Sequence, residues 1–353
     1  MTTIYVDLAA RIRRKEPVAL AIILESNGSA PQGAGAAAIF TSRKLVAGTV
    51  GGGSLEASVS RTAAEALRTG EPRVVSYALK GIAVEGEEPL CGGNVRVLVD
   101  PRPKRDVRAF FSLVASLGRG ERGVLSTSIA IRRSGKVGLT RRWIPAESIS
   151  SSDPEIAEVL AVGRPRLVGS RSAGTSVTRK EDERFLETVF PPARLVIAGA
   201  GHIGRAVAHL GRILDFDVTV IDDRREFANK KNLPDADYIV CRDIGPALGD
   251  MTLDENTYIV IVTRGHQKDT EALRACVHSG AAYIGMIGSR SKIALQRREF
   301  LVRKWATAKA FDRVHTPIGL PIRSKTVQEI AVSIAAELVL ARSRNADRKR
   351  SAG

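Results

Sequence analysis

The chain has few cysteines and no long apolar run, and each shortage excludes a class of protein. Its three cysteines, Cys91, Cys241 and Cys276, are far apart in the sequence and form no C-x-x-C pair. This spacing is not that of a disulfide scaffold or a zinc site, and it predicts a reducing, cytoplasmic setting. The longest apolar stretches, such as 18–24, are too short to span a bilayer, so we do not expect a membrane partner. The N-terminal basic cluster at 11–15 follows apolar residues instead of preceding an apolar region, so we do not expect a signal peptide either.

Aromatic residues are also scarce, at 5% of the 353 residues, although the net charge is +16. The basic residues are spread over many segments, and few aromatic side chains stand between them to stack on bases. Nucleic acid is therefore not an expected partner, and the charge predicts a solvated basic surface. With 44% hydrophobic and 26% charged residues, the composition is that of a globular protein of two or three domains.

Changes in pattern divide the sequence into four parts, and the predicted fold class is α/β. Residues 1–103 predict an N-terminal α+β domain, and 104–190 predict a middle α/β segment and linker without a chemical motif. In 191–345, strand and helix patterns alternate as in a Rossmann-type domain with a doubly wound parallel sheet. Residues 346–353 predict a frayed basic tail.

The most informative segment lies at 194–224. An apolar run at its start predicts a buried strand, which ends in the G-x-G-x-x-G motif Gly199-Ala200-Gly201-His202-Ile203-Gly204. A helix and a second strand are expected to follow, and that strand ends at Asp222. In this order Gly199 permits a tight turn, Gly201 lets backbone approach a phosphate, and Gly204 lets helix and strand pack closely.

The same segment predicts how a ligand is held. The helix N-terminus offers unpaired N–H groups to an anion, and Asp222 can accept hydrogen bonds from a ribose diol. Arg224 suits a 2′-phosphate, but Asp222 would repel one, so a free diol is favoured. His202 is a candidate ligand contact, and a histidine hydrogen-bonded to backbone is the alternative.

Two further loops are expected at the carboxyl edge of the parallel sheet, where ligands of such folds bind. One contains Arg264 and His266, and the other contains Gly288 and Arg290. Guanidinium groups near a helix N-terminus suit a phosphate or pyrophosphate, and His266 is also a candidate catalytic acid or base. In the alternative interpretation, Gly288 is a packing position and Arg290 is a solvated first residue of a helix.

The first domain has its own glycine-to-helix junction, Gly51-Gly52-Gly53-Ser54. Bare backbone ahead of a helix predicted from about Leu55 makes a candidate anion site. The alternative is a tight turn in which Ser54 caps the helix and Glu56 interacts favourably with its dipole.

The cysteines differ in their predicted surroundings. Cys91 lies in a loop beside Gly92 and Gly93, where a thiol can act as a nucleophile, a sulfur carrier or a soft-metal ligand. Inert packing is the alternative for Cys91, whereas Cys241 and Cys276 are both expected in the core.

Together these motifs resemble the XdhC/CoxI family of maturation proteins for molybdenum hydroxylases such as xanthine dehydrogenase and carbon monoxide dehydrogenase. The resemblance covers nearly the whole chain and is carried by seven segments: 26–35, 48–56, 90–94, 192–204, 263–269, 283–290 and 316–320. Its most specific part is the pair Thr263-Arg264-Gly265-His266 and Gly285-Met286-Ile287-Gly288-Ser289-Arg290, which ordinary dehydrogenases lack.

The resemblance implies a chaperone that binds the molybdenum cofactor, as molybdopterin or its dinucleotide form, supports its sulfuration and inserts it into the apoenzyme. It implies a cysteine desulfurase as a further partner, and a homodimer is expected. Carried over, Cys91 would contact molybdenum or sulfur. The sequence departs from the family pattern at Gln32, Ser54 and 319–323. The cysteine missing at position 54 favours a cofactor-binding role over a sulfurating one.

Two other functions stay open on the sequence. An NAD(P)-dependent oxidoreductase would use the motif at 199–222, with His266 as acid or base and Arg264 as substrate anchor, but a clear hydride-transfer constellation is not evident. A nucleotide-sensing domain of the type that gates potassium channels shares the motif, but the glycine-rich first domain argues against it. A non-catalytic assembly factor is the favoured hypothesis.

Overall fold

The structure is a computed structural model that describes residues 2–79, 93–150, 153–169 and 181–351. The chain divides into two compact units, with the boundary between Pro191 and Pro192. Unit 1 contains two antiparallel sheets and unit 2 contains one parallel sheet, so the predicted α/β fold class is confirmed. Within the described ranges, no helix is both long enough and apolar enough to cross a bilayer.

The first sheet of unit 1 is antiparallel throughout, in the order β3-β2-β1-β5-β4. Its strands and helices are α1 (Thr2–Arg13), β1 (Ala19–Asn27), β2 (Ala37–Phe40), β3 (Leu45–Gly48), α2 (Gly53–Thr69), β4 (Arg73–Leu79) and β5 (Gly93–Asp100). Strand side chains alternate between faces, so Leu20 and Ile22 share a core with α1, and Ala21 and Ile23 share one with α2. Burial on both faces explains the unbroken apolar run of β1.

The second sheet of unit 1 has the order β7-β6-β9-β8 and is also antiparallel. A 3₁₀ turn at Pro103–Asp106 leads into α3 (Val107–Gly118), β6 (Gly123–Ile131), β7 (Val137–Pro145), α4 (Pro154–Val162), β8 (Arg166–Gly169) and β9 (Glu181–Val189). Leu8 of α1 and Leu20 lie in one apolar cluster with Phe110, Leu125 and Phe185. The middle segment therefore shares a core with the first hundred residues.

The parallel sheet of unit 2 has the order β12-β11-β10-β13-β14. Its elements are β10 (Arg194–Ala198), α5 (His202–Ile213), β11 (Asp217–Asp222), β12 (Tyr238–Cys241), α6 (Ile244–Gly249), β13 (Thr257–Ile261), α7 (His266–Cys276), β14 (Tyr283–Met286), α8 (Arg290–Val302) and α9 (Ala308–Asp312). From β10 the chain adds β11 and β12 on one side, and it then crosses to the other side of β10 to add β13 and β14. The order in which strands are added thus reverses between β10 and β13. This switch point is where doubly wound folds bind ligands.

The last helix, α10 (Val327–Ser351), begins with a capping box and packs along α5. Oγ1 of Thr326 accepts a hydrogen bond from the N–H of Glu329 at 3.2 Å, and Oε2 of Glu329 accepts one from the N–H of Thr326 at 3.0 Å. Its backbone is helical to Ser351, so the helix includes most of the predicted basic tail at 346–353. A helix already anchored by packing extends at little cost per residue.

Candidate functional site

The turn after β10 depends on two glycines. Gly199 has a φ of 114°, and a Cβ there would lie 2.5 Å from the carbonyl oxygen of Val262. At Gly204, a Cβ would collide with the carbonyl oxygen of Gly199. The first glycine thus lets the loop after β13 approach this turn, and the second lets α5 pack against it.

Gly201 has the opposite surroundings, because it faces open space. It is the N-cap of α5, and no described atom lies within 4 Å of the position that its Cβ would take. The first N–H groups of α5 lack partners inside the helix and carry its positive end. The geometry therefore provides bare backbone and N–H donors on one side of the turn, as a phosphate requires.

Asp222 ends β11 beside this turn, as the sequence predicts, but its oxygens are already engaged. They accept hydrogen bonds from the N–H of Ala200 at 2.8 Å and from Nε and Nη2 of Arg224, both at 2.9 Å. Burial raises the pKa of Asp222, but the hydrogen bonds from Arg224 and Ala200 outweigh it and lower the pKa. The guanidinium of Arg224 also lies over the ring of Phe227, at 3.8 Å. A diol would have to share this carboxylate with Arg224.

The loop between β13 and α7 is closed by its own side chains. Oδ1 of Asp269 accepts hydrogen bonds from Oγ1 of Thr263 at 2.6 Å and from its N–H at 3.2 Å. Burial raises the pKa of Asp269, opposed by Thr263 and by the charge of His266. At Gly265, the N-cap of α7, no described atom lies within 4 Å of a Cβ position. This turn therefore also presents open backbone ahead of a helix.

Arg264 and His266 are held differently. Nη2 of Arg264 lies 3.3 Å from Oδ2 of Asp223, and the side chain is 54% exposed. His266 is the first residue of α7, and its Nε2 lies 3.8 Å from Oε2 of Glu299 on α8.

Sequence reasoning did not assign a role to Asp223 or to Lys268, whose Nζ lies 3.6 Å from the same Asp223 oxygen. The position of Asp223 directly after Asp222 is the signal that could have identified it.

The third loop leads into α8. Ser289 is the N-cap, and its Oγ accepts a hydrogen bond from the N–H of Lys292 at 3.4 Å. A Cβ at Gly288 would lie 3.1 Å from Cγ1 of Ile293, so this glycine has a packing role. Arg290 is the first helical residue, is exposed, and has no ion-pair partner among the described residues.

Backbone hydrogen bonds join these three loops at the switch point. The N–H of Val262 donates to the carbonyl of Ala198 at 2.9 Å, and that of Ile287 donates to the carbonyl of Ile261 at 3.0 Å. Helices α5, α7 and α8 thus begin at the carboxyl ends of neighbouring strands, and their first residues are His202, His266 and Arg290. The side chain of His202 lines a cavity of about 430 Å³ with Arg205 and His209. The sequence predicted all three first residues as site candidates.

The glycine junction of unit 1 is a tight turn. Gly51, Gly52 and Gly53 have φ values of 121°, 69° and 54°, which residues other than glycine rarely adopt. Helix α2 begins at Gly53, close to the predicted start near Leu55, and Gly52 is its N-cap, so the alternative role of Ser54 as N-cap is wrong. Three left-handed glycines can open a helix without a capping side chain.

A threonine closes this turn. Oγ1 of Thr49 accepts a hydrogen bond from the N–H of Gly51 at 3.0 Å and donates one to Oε2 of Glu56 at 2.9 Å. The Glu56 carboxylate therefore lies in the first turn of α2, where an anionic ligand would meet its negative charge.

The cysteines give one correction. Cys91 lies outside the described residues. Cys276 is fully buried in α7, and burial raises the pKa of its thiol to about 12. Cys241 ends the edge strand β12 and is exposed, so its predicted core position is wrong. Among the described residues, no cluster of histidine, cysteine and acidic side chains has the arrangement of a metal site.

Family models match residues in both units of the chain. A family model described as the XdhC and CoxI family matches residues 11–78, and one described as the XdhC Rossmann domain matches residues 195–338. A curated protein of Bacillus subtilis (strain 168), named as a probable subunit of xanthine dehydrogenase, is 23% identical over 98% of this chain and 99% of its own length.

Two further proteins resemble parts or all of the chain. The uncharacterized protein YqeB of Escherichia coli (strain K12) is 28% identical over 63% of this chain, and the match spans 41% of its own length. A crystal structure described as a xanthine dehydrogenase from Bacillus halodurans superimposes with a TM-score of 0.74 at 24% identity, covering 96% of each chain. This structural likeness shows that the two proteins share a fold.

Proposed function

This chain belongs to the XdhC and CoxI family, and we propose that it serves the maturation of a molybdenum hydroxylase of the xanthine or carbon monoxide dehydrogenase type. In this proposal it is a non-catalytic, cytoplasmic chaperone. It binds the molybdenum cofactor, supports its sulfuration and delivers it to the apoenzyme. The names of the Bacillus relatives, which refer to xanthine dehydrogenase, support this class of client.

One observation carries the cofactor part of the proposal: three helices begin side by side at the switch point of the parallel sheet. The open backbone at Gly201 and Gly265 leaves space that a Cβ would fill, and Arg290 adds a guanidinium without an ion-pair partner among the described residues. N–H donors and a guanidinium form the donor set that a phosphate or pyrophosphate needs. The chemistry present therefore fits the phosphate-bearing end of a pterin cofactor.

The three loops at the switch point contribute different parts of the binding site in this proposal. The turn at Gly199–Gly204 accepts the phosphate, and Arg264 and Arg290 neutralise its charge from the two neighbouring loops. Asp222 accepts hydrogen bonds from a ribose when the cofactor carries a nucleotide. His266, at the start of α7, lies on the same edge and can hold a proton near the ligand. When bound, the cofactor supplies the molybdenum centre that the client enzyme needs.

The sulfur-related part of the proposal rests on the family. Cys91 remains the candidate for contact with molybdenum or sulfur, with a cysteine desulfurase as the donor partner. In the described residues, Cys276 is buried with a raised pKa, which makes it a poor nucleophile. A C91A variant that still binds the cofactor but yields an unsulfurated client would support this role, and a fully sulfurated client would contradict it.

The main test is co-expression of a molybdenum hydroxylase with and without this chain. We expect the enzyme made without the chain to lack active, sulfurated cofactor, and full activity in its absence would contradict the proposal. Mass spectrometry of the natively purified chain for pterin and molybdenum gives a readout that does not depend on the client. Within the site, R290Q should lower bound cofactor about tenfold or more, because a charge-assisted hydrogen bond is lost.

The matched control for R290Q is R298Q on the same helix. Arg298 is also exposed on α8, and in the described part of the chain no hydrogen bond or ion pair joins it to the three loops. We expect R298Q to retain cofactor as the unchanged chain does. Equal losses in the two variants would show that general charge, and not the switch-point site, holds the cofactor.

An NAD(P)-dependent oxidoreductase is the second candidate. The observation that favours it is Asp222 at the end of β11, which is the place of a ribose acceptor in dinucleotide-binding folds. Calorimetric titration with NAD and NADH decides between the two functions. Absence of binding would exclude the oxidoreductase function. Binding together with hydride transfer to a substrate would support it over the chaperone function.

A further inference from the structure

Unit 1 has a cavity of about 370 Å³ at a place to which the proposed function assigns no role. Three parts of the chain enclose it: the end of α2, the 3₁₀ turn before α3, and the hairpin between β6 and β7. Its charged lining side chains are Glu71, Arg102, Arg105, Arg132 and Lys136. The volume lies within the usual range for small-molecule sites.

The charge of this cavity is unbalanced. Four cations face it with one carboxylate, and that carboxylate, on Glu71, lies 3.9 Å from Nζ of Lys136. In the described part of the chain, no carboxylate lies within ion-pair distance of Arg102, Arg105 or Arg132. Like charges that line one cavity repel each other, and a bound anion would relieve that repulsion.

Arg102 is built into the wall of the cavity. Its Nε is shielded from solvent and has no hydrogen-bond partner among the described residues. Its guanidinium lies against Gly70, where a Cβ would come within 2.8 Å of Cζ. Gly70 has a φ of 68° and ends α2 by donating its N–H to the carbonyl of Ala66 at 2.7 Å. One glycine thus both ends the helix and makes room for the guanidinium.

We propose that this cavity is a second anion site that binds the diphosphate or polyphosphate group of a small molecule. Three guanidinium groups and an ammonium exceed what one phosphate neutralises, and the planar guanidinium pairs with phosphate oxygens in a two-pronged geometry. Among the described residues, the lining contains no aromatic side chain on which a nucleic-acid base could stack. A compact polyphosphate therefore matches the site better than a nucleic-acid strand.

The test uses the full-length chain and titrates it with inorganic pyrophosphate in a calorimeter. A G201D background removes the switch-point site, because the added carboxylate faces the open side of that turn, where a Cβ meets no described atom. We expect one pyrophosphate per chain in this background, bound at least about tenfold more tightly than inorganic phosphate. Absence of binding, or equal affinity for the two anions, would overturn the proposal.

Variants assign the binding to the cavity. R105Q and R132Q should each weaken pyrophosphate about tenfold or more. The matched controls K104Q and R133Q remove a charge at the neighbouring positions, which do not line the cavity, and should change affinity less than about twofold. Equal losses in all four variants would show diffuse attraction and refute the site. Tighter binding of a single-stranded oligonucleotide than of pyrophosphate, lost in R105Q, would replace the small molecule with nucleic acid.

Discussion

The carboxylate of Asp222 accepts a hydrogen bond from the N–H of Ala200 at 2.8 Å, and this contact ties the end of β11 to the glycine turn after β10. The same carboxylate binds the guanidinium of Arg224. Asp222 therefore shapes the proposed phosphate turn whether or not it also contacts a ribose. Its loss should affect both folding and ligand binding.

We expect D222N to lower the free energy of unfolding by about 2–3 kcal/mol, because a buried charge-assisted pair with Arg224 is broken. The folded-state pKa of Asp222 is lowered, so its stabilisation is present above the unfolded pKa and is lost as the pH falls through the folded pKa. The difference between the unchanged chain and D222N should therefore shrink in acid. Urea unfolding at several pH values measures this difference. The control is D250N, at an exposed ion pair, whose unfolding free energy should lie within about 0.5 kcal/mol of that of the unchanged chain.

The glycines of the motif should separate folding from binding. G199A introduces a methyl group against the Val262 carbonyl at a φ of 114°, and we expect a loss of about 2 kcal/mol or more in unfolding free energy. In G201A the added methyl group faces open space, so the unfolding free energy should stay within about 0.5 kcal/mol of that of the unchanged chain. Only ligand affinity should then fall in G201A. Thermal unfolding with parallel cofactor analysis distinguishes the two, and equal destabilisation would contradict the described turn.

Glu187 should make unit 1 sensitive to pH. Burial raises its pKa to about 7, opposed by the hydrogen bonds from Oη of Tyr5 (2.9 and 2.8 Å) and by the charge of Arg141. The folded state then holds a proton that the unfolded state releases near pH 4.3, so this group's contribution to stability falls as the pH rises from about 4.3 to about 7. We expect the free energy of unfolding to fall by about 3–4 kcal/mol over that range, and this fall should be absent in E187Q. The exposed E158Q control should keep the pH dependence.

Glu337 should be a structural anchor of unit 2. Its carboxylate accepts hydrogen bonds from Oη of Tyr283 at 2.7 Å, from Nδ1 of His315 at 2.9 Å and from the N–H of Gly319 at 2.6 Å. We expect Y283F to lower the unfolding free energy by about 1 kcal/mol and E337Q by about 3 kcal/mol. Y238F, on an exposed ring, is the matched control and should have no effect. A larger loss in Y283F than in E337Q would contradict the central role of the carboxylate.

The thiols should differ in reactivity. In the native protein we expect iodoacetamide to modify the exposed Cys241 at least about a hundredfold faster than Cys276, which is buried and has a pKa raised to about 12. Peptide mapping by mass spectrometry measures each site separately. In denaturant the two rates should become equal, and equal rates in the native protein would contradict the buried position of Cys276.

Much of unit 2 could be predicted because its signals are local. The strand at Arg194–Ala198, the glycine turn, the acid at Asp222 and the capping box at Thr326 each depend on residues close together in the chain. A parallel strand buried on both faces needs a continuous apolar run, and a helix opening on glycine needs those residues in that order. The contacts of Asp223 with Arg264 and Lys268 could not be predicted, because they join separate loops.

By itself, the sequence determined the fold class of unit 2, the position of the glycine turn after β10 and the acid that ends β11. Tertiary structure decided the rest: that Asp222 is shared with Arg224, that Cys241 is exposed at a sheet edge, and that 104–190 join the first core. It also brought Arg102, Arg105 and Arg132 to one cavity. The physical reason is the distance along the sequence between the residues that interact. Backbone conformation follows from neighbouring residues, whereas burial, charge pairing and cavities depend on segments that meet only when the chain folds.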